Sequence, residues 1–131
     1  MTEFSWPVRV YYEDTDAGGV VFYANYLKFF ERARTEMLRS LGFEQDSLRD
    51  RENLLFVVRS VAIDYLKPAR FNEQIDVSAK VVEYKKASLT FEQAITRQQD
   101  LLCTGIVRIA CLDAQCMRPK PIPNDILQQL T

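Results

Sequence analysis

The sequence predicts an α+β fold in which one long helix lies against an antiparallel sheet. A single long run, residues 26–41, spaces its apolar residues as a helix does, whereas four later runs are rich in β-branched and aromatic residues. Two of the connections between those later runs are only two residues long, a length typical of antiparallel hairpins. A fifth β-type run precedes the helix. The predicted order is therefore β–α–β–β–β–β, which is typical of one sheet layer covered by one helical layer.

The first strand is predicted at residues 6–13. In this run Val8, Val10 and Tyr12 fall at alternate positions, so they should point to one face of the sheet. The sequence DTDAGG at residues 14–19 follows and predicts a turn, because aspartate and glycine are common turn residues.

The helix predicted at residues 26–41 has a wide apolar face, formed by Tyr26, Phe30, Ala33, Met37 and Leu41. Asn25 precedes it, and asparagine is favoured as an N-cap residue. Gly42 follows it, where a helix C-terminus favours glycine. Glu31 and Arg34 lie three residues apart among its polar positions and are expected to form an ion pair on the helix surface. So wide an apolar face predicts a helix that is largely covered by other structure.

The rest of the chain is predicted to be mostly sheet. A short polar segment, 44–52, is expected to form one or two helical turns, and strands are then predicted at 54–66, 74–84, 87–98 and 101–113. The proline-rich segment 117–123 should be extended, and residues 124–130 predict a short helix capped by Asn124. Neither a repeat nor a linker interrupts the chain, so residues 1–131 are predicted to form a single domain.

Composition excludes several classes of function. With 17 basic and 18 acidic residues the net charge is −1, which argues against nucleic acid as a partner. The chain has no apolar run of about 18 residues, so no membrane span is predicted. The three cysteines form an odd set without a signal peptide ahead of them, which favours reduced thiols and a cytoplasmic location.

The chain contains no histidine, and this count restricts its chemistry. A Ser-His-Asp or Cys-His pair cannot be built within one chain, and the zinc sites that include histidine are excluded. Three cysteines cannot form a four-cysteine site. We therefore predict neither a metal site nor a cofactor. Acid–base chemistry would have to come from carboxylates, tyrosine, lysine, water or the backbone.

The stretch YEDTDAGG, residues 12–19, admits three interpretations. The first is a plain connection between strand and helix. The second is a calcium-binding loop, because Asp14 and Asp16 match its acid-x-acid start and Gly19 occupies its sixth position. The twelfth position of such a loop should be glutamate, however, and here it is Asn25.

The third interpretation is catalytic. The backbone N–H groups of residues 23–28 lie at or near a helix N-terminus, where unpaired N–H groups stabilise developing negative charge. Gly18 and Gly19 would let the chain run close to a substrate. A neighbouring carboxylate could then attack a carbonyl group or activate water. The stretch would thus combine a base with an oxyanion site and would need no histidine.

The sequence VRVYYEDTDAGGVVFYANYLKFFERAR resembles the signature of the 4-hydroxybenzoyl-CoA thioesterase branch of the hotdog-fold superfamily. It is most similar to the Tol-Pal system-associated acyl-CoA thioesterases of Gram-negative bacteria. FVVRSVAIDYLKPARFNEQIDV and KKASLTFEQAI fit the later strands of that family. The resemblance implies a hotdog fold, a curved antiparallel five-stranded sheet wrapped around one long helix, and it implies hydrolysis of acyl-CoA to free acid and CoA.

The resemblance also implies roles for residues that match the family's motif. The catalytic carboxylate falls on Asp16, which would be the nucleophile or the general base, and the oxyanion donor is the backbone N–H of Tyr23. Many Tol-Pal-associated relatives have histidine in place of Tyr23, but a donated backbone N–H survives this difference. The motif further implies that four residues contact substrate: Gly18, Gly19, Asn25 and Tyr26.

A second group of residues is implied to bind the phosphates of CoA. Lys85 and Lys86 lie between two predicted strands, and lysines can pair with phosphate as point charges. Arg59 and Ser88 are assigned to the same group. The residues themselves leave an alternative open, because a solvated hairpin turn and a structural serine at a strand start explain this pattern as well.

The implied partners are acyl-CoA, with acyl carrier protein as an alternative carrier, and further copies of the chain. Hotdog proteins generally act as dimers or tetramers with sites between subunits, and a homo-oligomer, either a dimer or a homotetramer, is expected here. One alternative function is a non-catalytic module that binds acyl-CoA or acyl carrier protein. A hotdog dehydratase is disfavoured, because that chemistry relies on a histidine that this chain lacks.

Overall fold

The protein is described by a computed structural model over residues 3–131, so the predicted domain boundary at residue 1 lies outside the described residues. The strands are β1 (Glu3–Arg9), β2 (Leu54–Tyr65), β3 (Gln74–Lys85), β4 (Ser88–Arg97) and β5 (Asp100–Asp113). The helices are α1 (Asn25–Ser40), α2 (Gln45–Glu52) and α3 (Asn124–Leu130), and a 3-10 turn (Tyr12–Asp14) lies between β1 and α1. Over residues 3–131, no helix has both the length and the apolar character needed to cross a membrane.

The five strands form one antiparallel sheet in the order β1-β3-β4-β5-β2, which confirms the predicted α+β class and strand number. Every predicted end of the last four strands agrees with the structure to within one residue. The two predicted hairpins, β3–β4 and β4–β5, are also present. α1, with 16 residues, is accompanied by the shorter α2 and α3, so the helical part consists of more than one helix.

The strand order makes β1 and β2 the two edges of the sheet. Because β2 pairs with β5 and β3 lies between β1 and β4, the connection at residues 66–73 has to cross the end of the sheet. This crossing passes beside the start of α1, where the Ala69 N–H donates to Tyr26 Oη at 3.0 Å. Its position therefore brings the end of β2 next to the N-terminus of α1.

The core lies between α1 and one face of the sheet. Phe29, Phe30 and Ala33 of α1 are fully buried, as are the alternate residues of β3: Ile75, Val77, Ala79 and Val81. At Gly105 of β5, α1 packs directly against the sheet, because a Cβ there would lie 2.5 Å from the ring of Phe30. The helix can therefore sit this close to the sheet only because residue 105 has no side chain.

The prediction for β1 is wrong in its bounds. The strand ends at Arg9, and Tyr12, which was expected to share a face with Val8 and Val10, is 77% exposed. The cause is the 3-10 turn, which is closed by two hydrogen bonds. The Tyr11 N–H donates to Asp14 Oδ2 at 2.8 Å, and the Asp14 N–H donates to the Tyr11 carbonyl at 3.0 Å. These bonds break the alternation of the strand.

Two capping predictions are also wrong. Asn25 and Asn124 are the first residues of their helices, and neither helix has a side-chain cap. The Asn25 amide instead donates from Nδ2 to the Asp14 carbonyl at 2.9 Å, so it ties α1 to the preceding turn. The prediction for Gly42 agrees with the structure, since its φ is 94° and the next N–H, of Phe43, donates back to the Leu38 carbonyl at 2.9 Å.

Candidate active site

The segment between the 3-10 turn and α1 is a loop closed by its own backbone. The Asp16 N–H donates to the Val20 carbonyl at 2.9 Å, and the Gly19 N–H donates to the Asp16 carbonyl at 3.0 Å. Gly19 has a φ of 77°, a conformation that favours glycine over residues with a side chain. The two halves of the loop meet again at the bridge between Thr15 and Val21. The turn predicted at residues 14–19 is therefore present and rigidly held.

The carboxylate of Asp16 lies at the exposed tip of this loop. Its Oδ1 accepts the Gly18 N–H at 2.8 Å, and within residues 3–131 its Oδ2 has no partner. A Cβ at position 18 would lie 3.2 Å from Asp16 Oδ1, so Gly18 leaves room for the carboxylate to fold back onto the backbone. One oxygen is thus held and the other is free to react with a ligand.

Asp14 has a different role from Asp16, although only one residue separates them. Its side chain is buried and accepts the Tyr11 N–H, while its carbonyl accepts the Phe22 N–H and the Asn25 amide, both at 2.9 Å. Asp14 therefore anchors the loop to the start of α1. Because the two carboxylates point at different N–H groups and no group of three or more metal-binding side chains is found in the described chain, the structure offers no support for a calcium loop.

The start of α1 presents N–H groups that have no acceptor. The Phe22 N–H is used by Asp14, and the Asn25 N–H donates to the Phe22 carbonyl at 2.8 Å. Between them, the N–H groups of Tyr23 and Ala24 find no acceptor among residues 3–131. Unpaired N–H groups at a helix N-terminus are suited to holding a developing oxyanion. The predicted donor, Tyr23, therefore has its N–H available.

Tyr26 and Tyr65 stand beside these N–H groups. Tyr65 Oη donates to the Tyr23 carbonyl at 2.9 Å, and the two rings meet edge to face at 6.4 Å. Tyr26 Oη accepts the Ala69 N–H, and the Ala69 carbonyl accepts the Val21 N–H at 2.8 Å. Burial raises the pKa of both Tyr26 and Tyr65, so both phenols are neutral at neutral pH.

Together these residues line a cavity of about 260 Å³, which we call the tyrosine cavity. Its walls include Val21, Tyr23, Tyr26, Tyr65, Leu66 and Lys67. The prediction for Tyr26 named it as a substrate contact, and the structure places it in this wall. Tyr65 was not among the predicted site residues. Its sequence signal is weak, since an aromatic residue is common where a strand meets a loop.

The residues predicted to bind phosphate are divided by the structure. Arg59, Lys85 and Ser88 line a polar cavity of about 400 Å³, which we call the basic cavity. Arg108 joins them, and Glu83 is the acidic residue in the lining. Arg108 could have been found from the sequence, because it interrupts the apolar run IVRIA at an outward-facing position.

Lys86 does not line the basic cavity. Lys85 is the last residue of β3 and pairs with Ser88, so the hairpin turn consists of Lys86 and Ala87 and not of the two lysines as predicted. The Lys86 carbonyl accepts the Ile122 N–H at 2.8 Å, which fixes the turn to the C-terminal segment. Because Lys85 pairs with Ser88 and so belongs to β3, its side chain lies on a face of the sheet, in the lining of the basic cavity.

The basic cavity and the Asp16 loop lie on different sides of the molecule. Gly105 faces α1, and Val107 and Ile109, at alternate positions of β5, are buried on the same face. Arg108 must therefore point to the other face of the sheet. Along β2, Arg59 is about 20 Å from Tyr65 at the strand's rise per residue. Within one chain, then, the structure does not bring the predicted phosphate ligands to the predicted catalytic carboxylate.

The predicted ion pair between Glu31 and Arg34 is absent. Arg34 is only 8% exposed, and its Nη1 donates to Gln93 Oε1 of β4 at 2.9 Å. Glu31 instead accepts a hydrogen bond from Thr35 Oγ1 at 3.3 Å. The physical reason is helical spacing, because Arg34 follows Phe30 by four residues and so lies on the buried face of α1.

Comparison with known proteins decides the family. The family model described as the thioesterase-like superfamily matches residues 10–130. The chain belongs to this superfamily. It is 49% identical over 123 residues to the acyl-CoA thioesterase YbgC of Haemophilus influenzae, covering 94% of this chain and 90% of that protein. It is 43% identical over 129 residues to the acyl-CoA thioester hydrolase YbgC of Escherichia coli, covering 98% and 96%.

Solved structures agree with this placement in the thioesterase-like superfamily. The crystal structure of a probable thioesterase from Bartonella henselae superposes with a TM-score of 0.89 at 34% identity, covering 93% of this chain and all of that one. The resemblance to hotdog thioesterases that the sequence indicated is thereby confirmed.

Proposed function

We propose that this protein hydrolyses acyl-CoA thioesters at the Asp16 loop. The observation that carries the proposal is that a free carboxylate oxygen of Asp16 and the unpaired N–H groups of Tyr23 and Ala24 belong to one hydrogen-bonded loop. The names of the relatives, acyl-CoA thioesterase and thioester hydrolase, support the same activity. Hydrolysis at this loop would need no histidine.

The reaction proposed here uses the chain's own groups in two roles. The thioester carbonyl oxygen accepts the Tyr23 N–H, which stabilises the tetrahedral oxyanion as charge develops there. Asp16 either attacks the carbonyl carbon, giving an acyl-Asp16 anhydride that water then hydrolyses, or takes a proton from the attacking water. In both routes the C–S bond breaks, the sulfur leaves with the bonding electron pair and is protonated, and the acyl group departs as the free acid.

We further propose that the basic cavity binds CoA phosphates through Arg59, Lys85, Arg108 and the hydroxyl of Ser88. Because this cavity faces away from α1, it would serve a CoA whose thioester lies at the Asp16 loop of another subunit. The active form would then be a homo-oligomer, a dimer or a tetramer. An apolar residue that the edge strand β2 exposes, Val61, supports a subunit contact there. The register shifts in the sheet support its curving around α1, as hotdog proteins do.

The proposed activity is tested by thiol release from short, long and aromatic acyl-CoAs. We expect Asp16→Asn to lower kcat by about a hundredfold or more, since a positioned base or nucleophile contributes at least that much. Asp50→Asn is the matched control, because Asp50 is an exposed carboxylate on α2 whose ion pair, within residues 3–131, is with Arg49. An Asp16→Asn protein that is folded and turns over at the wild-type rate would contradict the proposal. Saturable binding without turnover of any CoA or acyl carrier protein thioester would favour the binding module.

A further inference from the structure

A third cavity lies between the middle of α1 and the sheet, and none of the proposed chemistry uses it. It encloses about 100 Å³ and has apolar walls that include Leu38 of α1, Val58 of β2, and Phe91 and Ile109 of the inner strands. We call it the Arg34 cavity, because Arg34 contributes its buried guanidinium to the lining. This small, mostly apolar cavity is lined by one buried cation, with the exposed Glu31 also in the lining, and is suited to a ligand that is itself mostly apolar and carries one polar group.

Arg34 has unused hydrogen-bonding capacity in this position. Within the described part of the chain, no carboxylate forms an ion pair with Arg34, although the charge of Glu31 is near enough to act on it. Nη1 is the guanidinium nitrogen that has a protein acceptor, Gln93 Oε1. A guanidinium has five N–H donors, so most of them have no protein partner. Burial lowers the pKa of Arg34 to about 10, which still leaves it charged at neutral pH. In the described chain no fully buried side-chain nitrogen lacks a partner, so the unpaired donors of Arg34 are accessible to a ligand or to water.

The arrangement around Arg34 is fixed by its neighbours. Gln93 Nε2 donates to the Phe30 carbonyl at 3.0 Å and to the Ser78 carbonyl at 3.1 Å, so its own oxygen is held toward the guanidinium. Gln93 is itself 1% exposed. The charge therefore keeps one orientation, as a binding group needs, and it does not have to reorganise when a ligand arrives.

The Arg34 cavity and the tyrosine cavity are both lined by residues of α1 and of β2. On α1, Tyr26 lines the tyrosine cavity and Glu31 lines the Arg34 cavity. On β2, Tyr65 lines the first and Val58 lines the second. Val61 lies between them and pairs with Val107, whose side chain is buried on the α1 face of the sheet. Tyr26 and Glu31 are about 8 Å apart along α1, and Val58 and Tyr65 are about 23 Å apart along β2.

We propose that the Arg34 cavity receives the far end of the acyl group and that Arg34 binds a carboxylate there. The enzyme would then favour ω-carboxyacyl thioesters over plain acyl thioesters of the same length. This inference rests on the proposed hydrolysis at the Asp16 loop, since that reaction holds the other end of the acyl group. α1 rises about 14 Å from Asn25 to Arg34, and a helical arginine side chain points back toward the N-terminus. An extended chain of about six to ten carbons would therefore span the gap.

The test compares two series of CoA thioesters that differ only at the far end of the acyl chain. One series carries plain saturated acyl groups, and the other carries monothioesters of dicarboxylic acids, over about four to twelve carbons. We expect kcat/KM to favour the carboxylate series by about tenfold or more at six to ten carbons, the scale of a charge-assisted hydrogen bond. At the shortest lengths the preference should vanish, because the carboxylate cannot reach Arg34.

Two variants tie the preference to this cavity. Arg34→Met should abolish the preference, while Arg32→Met, the same change on the exposed side of α1, should leave it unchanged. If Arg34→Met does not fold, Val58→Phe serves instead, because it fills the cavity from the edge strand and retains the charge. It should lower turnover of the long ω-carboxyacyl thioesters and leave the shortest acyl-CoA unaffected.

The outcomes separate this inference from the proposed function. Wild-type turnover without any preference for the carboxylate series overturns the Arg34 inference and leaves thioester hydrolysis standing. The same conclusion follows if the preference persists in both Arg34→Met and Val58→Phe. Absence of turnover on every thioester overturns the proposed hydrolysis and, with it, the inference about Arg34.

Discussion

At the scale of single residues, Tyr65 sets the orientation of a group that the proposed reaction needs. Its hydroxyl donates to the Tyr23 carbonyl at 2.9 Å, and that carbonyl shares a peptide unit with the Ala24 N–H. Because a peptide unit is planar, a bond that fixes the carbonyl also fixes the direction of the N–H. Tyr65 is therefore a positioning residue for the unpaired donors at the start of α1.

We predict that Tyr65→Phe lowers kcat by about three- to tenfold and changes KM little, since one hydrogen bond is worth about 1 kcal/mol. The ring remains, so the tyrosine cavity should keep its shape. Steady-state kinetics on one good substrate give the split between kcat and KM. Tyr84→Phe is the matched control, because it removes an exposed hydroxyl of β3 away from the site. An unchanged kcat in Tyr65→Phe, or an equal loss in both variants, would count against this role.

The sequence predicted local structure around the candidate site well, as in the turn at residues 14–19, and poorly where tertiary burial decides. The loop with Asp16, and Tyr23 before the helix, follow from a short stretch that could be interpreted without the fold. Arg34 shows the opposite case. Its spacing of three residues from Glu31 suits an exposed ion pair, whereas its spacing of four from Phe30 places it on the buried face, and only the packed structure decides between them.

At the scale of elements, Gly105 sets the distance between α1 and β5. A Cβ there would lie 2.5 Å from the Phe30 ring, too close for any relaxed contact. We predict that Gly105→Ala lowers the free energy of unfolding by about 1–3 kcal/mol, the usual cost of overpacking a core. Urea unfolding followed by circular dichroism measures the change.

A double-mutant cycle tests the cause of that loss. Phe30→Leu opens space opposite Gly105, so the double variant should be more stable than the sum of the two single changes implies. Strict additivity would show that the ring is not what the new methyl group meets. A loss from Gly105→Ala below a few tenths of a kcal/mol would show that α1 moves away at little cost.

The elements and the two hairpins β3–β4 and β4–β5 were predictable from local signals, but the partners of the two edge strands were not. The ends of β2 to β5 were predicted to within one residue, because alternation and short turns are local signals. The pairing of the edge strand β2 with β5 has no local signal, because the two strands are far apart in the sequence and no short turn joins them. The early end of β1 was missed for a related reason, because a buried carboxylate, that of Asp14, redirects the chain there.

At the scale of the whole molecule, the two parts of the proposed site lie on opposite faces of one sheet. Asp16 lies beside the start of α1, whereas the basic cavity with Arg108 faces away from it. A CoA molecule long enough to join them within one chain would have to pass around the edge of the sheet. A second subunit removes this difficulty, because its outer face can lie next to the first subunit's Asp16 loop in a symmetric assembly.

This arrangement predicts complementation between two defective chains. One chain carries Asp16→Asn, and the other carries alanine at Arg59, Lys85 and Arg108, which should raise KM for CoA thioesters. In a purified mixed dimer, one of the two sites would combine an intact Asp16 with an intact basic cavity. We expect such dimers, isolated with two affinity tags, to recover about half of wild-type kcat/KM. Each variant alone should stay well below that level at low substrate concentration. Mixed dimers no more active than the mean of the two pure variants would place the phosphate ligands and the carboxylate of one site in the same chain.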